Sequence, residues 1–147
     1  MVRPNGARRG SMSVEFGLVS PILITVLFGI IEYGTLFSTM LSIQSATRDG
    51  ARWGATPNFN VETAPEAAAD HTRESLELLG LDCSEATEMA GSCAIDAGPD
   101  PLEGYLAITV TTTIEYHPVT GGLLPVPQEL VARSSFLLSD QTPAEDL

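Results

Sequence analysis

A carboxylate, Glu15, stands at the mouth of a run that carries no charge from Phe16 to Ile31, within RRGSMSVEFGLVSPILITVLFGIIEYG, residues 8–34. At the centre of a membrane helix a carboxylate costs about 2.5 to 3.5 kcal/mol, less near the interface, so one found there is usually paired. The residues just before it offer a pairing. A cut between Gly10 and Ser11 would give Ser11 a new α-amino group and make Glu15 the fifth residue of the shortened chain. Four helical residues rise about 6 Å, which sets the carboxylate one turn from its own amine, or opposite that of an axially displaced neighbour. The other chemistry-bearing residues are sparse. Cys83 and Cys93 have no histidines nearby to complete a four-ligand zinc set, which leaves two reduced thiols or a disulfide. His71 falls on an expected helix, where a lone histidine is a surface or boundary residue, and His117 precedes Pro118 in a loop with no identifiable partner. With no nucleophile-and-base set, phosphate loop or metal motif, neither catalysis nor a cofactor nor a metal is expected.

The elements that must hold Glu15 follow from length and charge. The chain has 147 residues, room for one modest domain and appendages. Seven basic residues, all Arg, face 19 carboxylates, so no basic patch beyond the first residues can neutralise phosphates, and nucleic acid is excluded as a partner. Arg3, Arg8 and Arg9 precede the apolar run, whereas most carboxylates follow Asn60. A bilayer core takes about 20 helical residues, and Phe16 to Phe37 meets that length with Glu32 at the far interface. Arg8 and Arg9 favour a cytoplasmic N-terminus, with Arg48 and Arg52 weakening the count. A secretory signal would have an apolar core of about 7 to 15 residues and a small-residue cleavage site; this run is longer, and no clean Ala-x-Ala follows. An extracytoplasmic domain makes the disulfide the expected state of Cys83 and Cys93.

Arg-Arg-Gly, then Ser-Met-Ser-Val-Glu-Phe, then an apolar helix is the arrangement of a type IV prepilin. More closely, residues 8–37 resemble the opening of TadE-like pseudopilins of the tight adherence (Tad, type IVc) pilus system: a Glu-Phe pair, an apolar segment containing Pro21, and a closing Gly29-Ile30-Ile31-Glu32 element. Ala46-Thr47-Arg48-Asp49-Gly50-Ala51-Arg52 fits the small residues and Arg that follow the membrane helix in that family. The resemblance covers Arg8 to Trp53. It implies cleavage by a membrane-embedded prepilin peptidase, with Gly10 before the cut, Ser11 as the new terminus, and Glu15 with Phe16 as the assembly pair. It also implies other pilins and pseudopilins, the inner-membrane assembly platform and the lipid bilayer as partners, and a single-pass place in a bacterial inner membrane, with incorporation into an extracellular pilus. Ser11 departs from the aromatic residue of classical type IV pilins, which leaves N-methylation open. The alternatives are an uncleaved single-pass envelope protein with an acidic external binding domain, and a pseudopilin of a type II secretion system.

The remaining pattern predicts an α+β chain: a leader at 1–10, a membrane and pilin-like helix at 11–55, a linker at 56–62, a disulfide-stapled domain at 63–140 and a polar tail at 141–147. Small residues recur every four positions at Gly34, Ser38, Ser42, Ala46, Gly50 and Gly54, and at Ser13, Gly17, Pro21, Thr25 and Gly29, a spacing that lets membrane helices approach closely. Pro21 is expected to kink the helix. Thr63-Ala64-Pro65-Glu66 reads as a capping box opening an amphipathic helix that runs to about Leu79, with Gly80 at its C-terminal cap. Ala68, Thr72, Leu76 and Leu79 form its inner side. Tyr105–Tyr116 and Leu130–Leu138 alternate as strands of an antiparallel hairpin or small sheet. The loop between them carries Leu123, Leu124 and Val126, placed either under the sheet or as an apolar knob for a partner subunit.

Overall fold

The computed structural model describes residues 7–81, 83, 93–102, 105–122 and 124–138. Residues 1–6 of the expected 1–10 leader, the chain between the two cysteines, Leu123 and the polar tail lie outside the described residues. Five elements follow one another: α1 (Ala7–Gly54), α2 (Ala64–Leu78), β1 (Cys93–Leu102), β2 (Tyr105–Glu115) and β3 (Glu129–Leu137). The fold class is α+β. The chain divides into two compact units, one formed by the stretch up to Thr35 with Pro118–Val126, the other by Leu36–His117 with the chain from Pro127 onward.

Helix α1 is 48 residues long and continues unbroken through Pro21. It begins at Ala7, so Gly10 and Ser11 lie within its first turns rather than before it. Pro21 has no N–H to give to the preceding turn; its own carbonyl accepts from Thr25 Oγ1 at 2.8 Å. From Met12 onward α1 is long and apolar enough to cross a membrane, with a mean hydropathy of 2.2 over its most apolar window. Apolar side chains along this part of α1 are exposed in the single chain: Met12, Phe16, Leu18, Ile22, Leu23 and Ile30 are all more than 60% accessible. Apolar surface of that extent is tolerated by a bilayer or by neighbouring helices, not by water. By length and composition the helix suits a single-pass membrane anchor.

In the second unit the C-terminal half of α1 is a core element. Ile43, Ala46, Thr47 and Ala51 are buried there, and Ala51 joins Ala64 and Ala68 of α2 and Ile108, Val110 and Leu138 of the sheet region in one apolar cluster. Thr47 and Thr112 form a buried hydroxyl pair at 2.8 Å, which satisfies two polar groups that would otherwise be costly inside. Helix α2 buries Ala64, Ala68, Thr72 and Leu76, the period of a one-sided amphipathic helix. Leu79, expected on that face, is 52% exposed because the helix has already ended: Leu79 is its C-cap. Gly80, at φ 79°, takes the left-handed position after the cap, and its N–H bonds Glu77 O while that of Leu81 bonds Leu76 O, the paired closure that glycine permits. The N-terminal capping box does not form, since Thr63 makes no side-chain cap bond. Asn60 replaces it. Its Oδ1 accepts from the N–H of Glu62 and Thr63 and from Thr63 Oγ1, so the Thr63 hydroxyl is already committed.

The sheet has three strands in the order β1-β2-β3, antiparallel throughout. β2 and β3 pair with Ile108 opposite Phe136, Val110 opposite Ser134, Thr112 opposite Ala132 and Ile114 opposite Leu130 on the inner face; β2 alternates in burial only from Val110 on, since Ala107 and Thr109 of its other face are buried as well. β1 was not anticipated. Its residues CAIDAGPDPL include two prolines, a glycine and two aspartates, all depleted in strands. It forms as an edge strand, where Pro99 and Pro101, two apart and opposite Ile108 and Leu106, have the same phase and turn their nitrogens away from β2. Cys83 and Cys93 are joined by a disulfide with Cα atoms 5.3 Å apart, tying the segment after α2 to the first residue of β1.

Candidate membrane and assembly site

Two carboxylates mark the apolar segment of α1, and they have different surroundings. Glu15 is exposed, as are its neighbours Val14 and Phe16, the latter 71% accessible. Glu32, the first charge after the apolar run, is fully buried. Its burial comes from the loop between β2 and β3. The N–H of Thr120 donates to Glu32 Oε2 at 2.8 Å and that of Val119 to Oε1 at 3.3 Å, so one backbone turn presents two donors to both carboxylate oxygens. Hydrogen bonds to an ionised acceptor are about twice as strong as neutral ones, and two of them offset part of the cost of taking a carboxylate out of water.

The same loop is held at two further points. Tyr33 Oη donates to the Pro125 carbonyl at 3.2 Å, and Leu124 Cδ1 reaches Gly29, where an added Cβ would lie 3.9 Å from it. Gly121 and Gly122, at φ 67° and 84°, make the turn that lets the chain fold back on α1. The loop's leucines were expected under the sheet or offered to another subunit. Leu124 packs in part against the N-terminal part of α1, at Gly29; Leu123 is outside the described residues.

The small residues of α1 fall into two groups. A Cβ at Gly17 or Gly34 would meet nothing within 4 Å, whereas one at Gly50 would overlap Thr72 Oγ1 and come 2.8 Å from the Ala68 carbonyl oxygen. At Gly54 it would lie 2.7 Å from Ala68 Cβ. Gly50 and Gly54 are therefore occupied by the chain's own α2, and Ala46 is buried at 1% exposed. Ser38 is exposed and Ser42 half-buried, the Ser42 hydroxyl donating back to the Ser38 carbonyl at 3.0 Å. Pro21 is exposed, and Gly29 is covered in part by Leu124. Of the expected stripe residues, Ser13, Gly17, Pro21, Thr25, Gly34 and Ser38 are exposed and open to another helix.

Further along α1, Trp53 stacks on His71 at 5.0 Å between ring centroids, and with Asp49, Arg52 and Thr56 they line an open cavity of about 370 Å³. His71 thus has an aromatic neighbour that its position in the sequence did not disclose. Among the described residues no group of three or more His, Cys, Asp or Glu side chains is gathered to hold a metal.

The apolar segment, Glu15 and the Gly29–Glu32 element all fall inside one stretch that is shared with known proteins. Residues 10–52 match the family model of TadE-like proteins. No curated protein and no solved structure matches the chain. The TadE-like stretch begins at Gly10 and ends at Arg52, two residues before the end of α1, so it includes the part of α1 that belongs to the core of the second unit; α2 and the sheet lie outside it. Glu32 was missed as a site because its partners are 87 and 88 residues away in sequence. One signal was available: the loop that caps it carries no Asp, Glu or Arg from Tyr116 to Gln128, unusual for a solvated loop in so acidic a half.

Proposed function

We propose that this protein is a structural pseudopilin, a minor pilin that serves assembly or priming of a Tad pilus. One observation carries the reading: the TadE-like match over residues 10–52 coincides with an exposed apolar helix whose Glu15 follows Gly10 by five residues. The TadE-like family is a structural, pilus-associated one. On this reading residues 1–10 are a cytoplasmic leader removed by prepilin peptidase, and Ser11 is the mature terminus. Helix α1 spans the inner membrane and packs among other pilins, and the acidic domain lies outside, where its disulfide is maintained. Glu15 then pairs with an incoming α-amine in a bundle where neither charge is well solvated.

The test is the intact mass of the protein extracted from membranes of peptidase-competent cells. A chain beginning at Ser11 is expected. It leaves four Arg against 19 carboxylates, a formal net charge of −15 in place of −12. Replacing Gly10 by Val should block the cut, because a side chain crowds the scissile bond. Recovery of full-length protein alone from cells that process other prepilins would overturn the proposal.

A further inference from the structure

We propose that the loop Pro118–Val126 is a membrane-interface element, seated in the phospholipid boundary on the Glu32 side of the span and locked there by the Glu32 carboxylate. The inference rests on the reading of α1 as a membrane anchor and does not depend on its pilus role.

Depth comes first. Leu124 touches α1 at Gly29, three residues on the apolar side of Glu32 and about 4.5 Å deeper along the helix axis. Gly29 is inside the charge-free run, so if α1 crosses a bilayer, Leu124 enters the margin of its hydrocarbon. Composition agrees with that depth. From Tyr116 to Gln128 the chain has no Asp, Glu or Arg, yet this half of the sequence carries most of its 19 carboxylates. Val119 is 64% exposed beside Glu32, and Leu124 is half-buried against Gly29, so both add apolar side chains at the Glu32 end of the span.

Backbone groups decide whether a loop can occupy such a place, since an unsatisfied N–H in hydrocarbon costs several kcal/mol. From Pro118 to Gly121 the donors are used or missing. Val119 and Thr120 give theirs to Glu32, Gly121 gives its own to Pro118 O at 3.2 Å, and Pro118 and Pro125 have none. The Pro125 carbonyl accepts from Tyr33, and a tyrosine with an apolar body and a polar tip suits the headgroup level. Glu32 therefore does two things at once. It lets a carboxylate sit at the end of the span without reaching for water, and it makes the turn above it acceptable to lipid.

The experiment uses the full chain reconstituted in vesicles of phosphatidylcholine and phosphatidylglycerol. The native cysteines are bonded to each other, so Val119→Cys and Leu124→Cys each add one free thiol for an environment-sensitive fluorophore. Ile22→Cys, in mid-span, and Glu66→Cys, on the exposed side of α2, are the references. Labels at 119 and 124 should be quenched by lipids brominated near the glycerol end of the acyl chain, and roughly threefold less by aqueous iodide than the label at 66. Adding Glu32→Ala should release the loop and bring iodide quenching at 119 and 124 towards the value at 66. Quenching of the Ile22 label by deep bromines with iodide-accessible labels at 119 and 124 would overturn the loop proposal alone. Labels shielded from both quenchers would also overturn it, since another protein surface would then cover the loop. An Ile22 label untouched by lipid bromines would remove the membrane anchor and this proposal with it. Unchanged quenching in the Glu32→Ala protein would overturn the lock.

Discussion

Glu15 and Glu32 are on the same helix, seventeen residues apart, and their surroundings assign them separate work. Glu32 is closed off by its own chain, its oxygens taken by the Val119 and Thr120 amides. Glu15 is left exposed at the other end of the apolar run, where a second chain can reach it. Glu15→Ala is therefore expected to leave insertion and leader cleavage largely intact, since removing a carboxylate from an apolar segment favours insertion and the scissile bond is a helical turn away. Incorporation into the pilus machinery should fall sharply. The neighbour's α-amine would enter the bundle unpaired, and losing one partner of a buried ion pair costs about 3 to 5 kcal/mol. Glu15→Gln, which keeps shape and hydrogen bonding, should fall between. Co-purification with other pilus components, scored beside cleavage in the same cells, separates these outcomes. Assembly of the Ala variant at the wild-type level would show that Glu15 does not pair with an incoming terminus.

At the scale of elements, one stripe of small residues on α1 is closed by α2 at one end and open at the other. Gly50 and Gly54 bring α1 against Ala64, Ala68 and Thr72 of α2, an approach that any Cβ would obstruct. Gly34 faces open space. Gly50→Ala should destabilise the folded domain by about 1 to 3 kcal/mol through overpacking. Gly34→Ala should leave it unchanged or stabilise it by up to about 1 kcal/mol from helix propensity. Denaturant titration in detergent, followed by circular dichroism, measures both; equal effects would mean that the stripe has one role. The same elements show what could be read from sequence. Helix α2 with its Gly80 cap and the strands β2 and β3 were legible because their order is local: a period of 3.6 or 2 and a glycine where a left-handed residue is needed. β1 was not, because Pro99, Gly98 and Asp96 argue against a strand unless it is already known to lie at an edge. The expected Thr63 cap does not form because the Thr63 hydroxyl is turned back to Asn60, donating to its Oδ1 and accepting from its N–H, and spacing alone does not reveal that local alternative. The loop on Glu32 was illegible for a different reason. The sequence marked the carboxylate and the uncharged loop separately, and nothing local connects residues 32 and 120.

At the scale of the whole chain, the division at Thr35 and Leu36 and the excursion of Pro118–Val126 mean that the second unit has its own core. Ile43, Ala51, Leu76, Ile108 and Val110 are all within it, and each large side chain fully removed from water contributes about 1.5 to 3 kcal/mol. The strands are still joined beyond the loop, the N–H of Tyr116 bonding Gln128 O at 2.7 Å, so a tight Asn-Gly turn can replace residues 118–126 without unpairing them. A chain starting at Leu36 and carrying that turn is therefore expected to be soluble and to unfold in one cooperative transition. Its staple is the Cys83–Cys93 disulfide, which closes a loop with a sequence separation of 10. By loop entropy, closing so short a loop adds about 2 to 3 kcal/mol, a large share of the stability of so small a domain. Reduction should lower the stability of the excised unit by that amount. It should act first on β1, which the disulfide holds and whose prolines and glycine give it little strand preference. Hydrogen exchange before and after reduction tests the order. Amides of β1 that face β2 should lose protection while those between β2 and β3 keep theirs. Loss of protection across all three strands together would mean that the sheet is one cooperative block, and that β1 is held by its pairing with β2 rather than by the sulfur bridge.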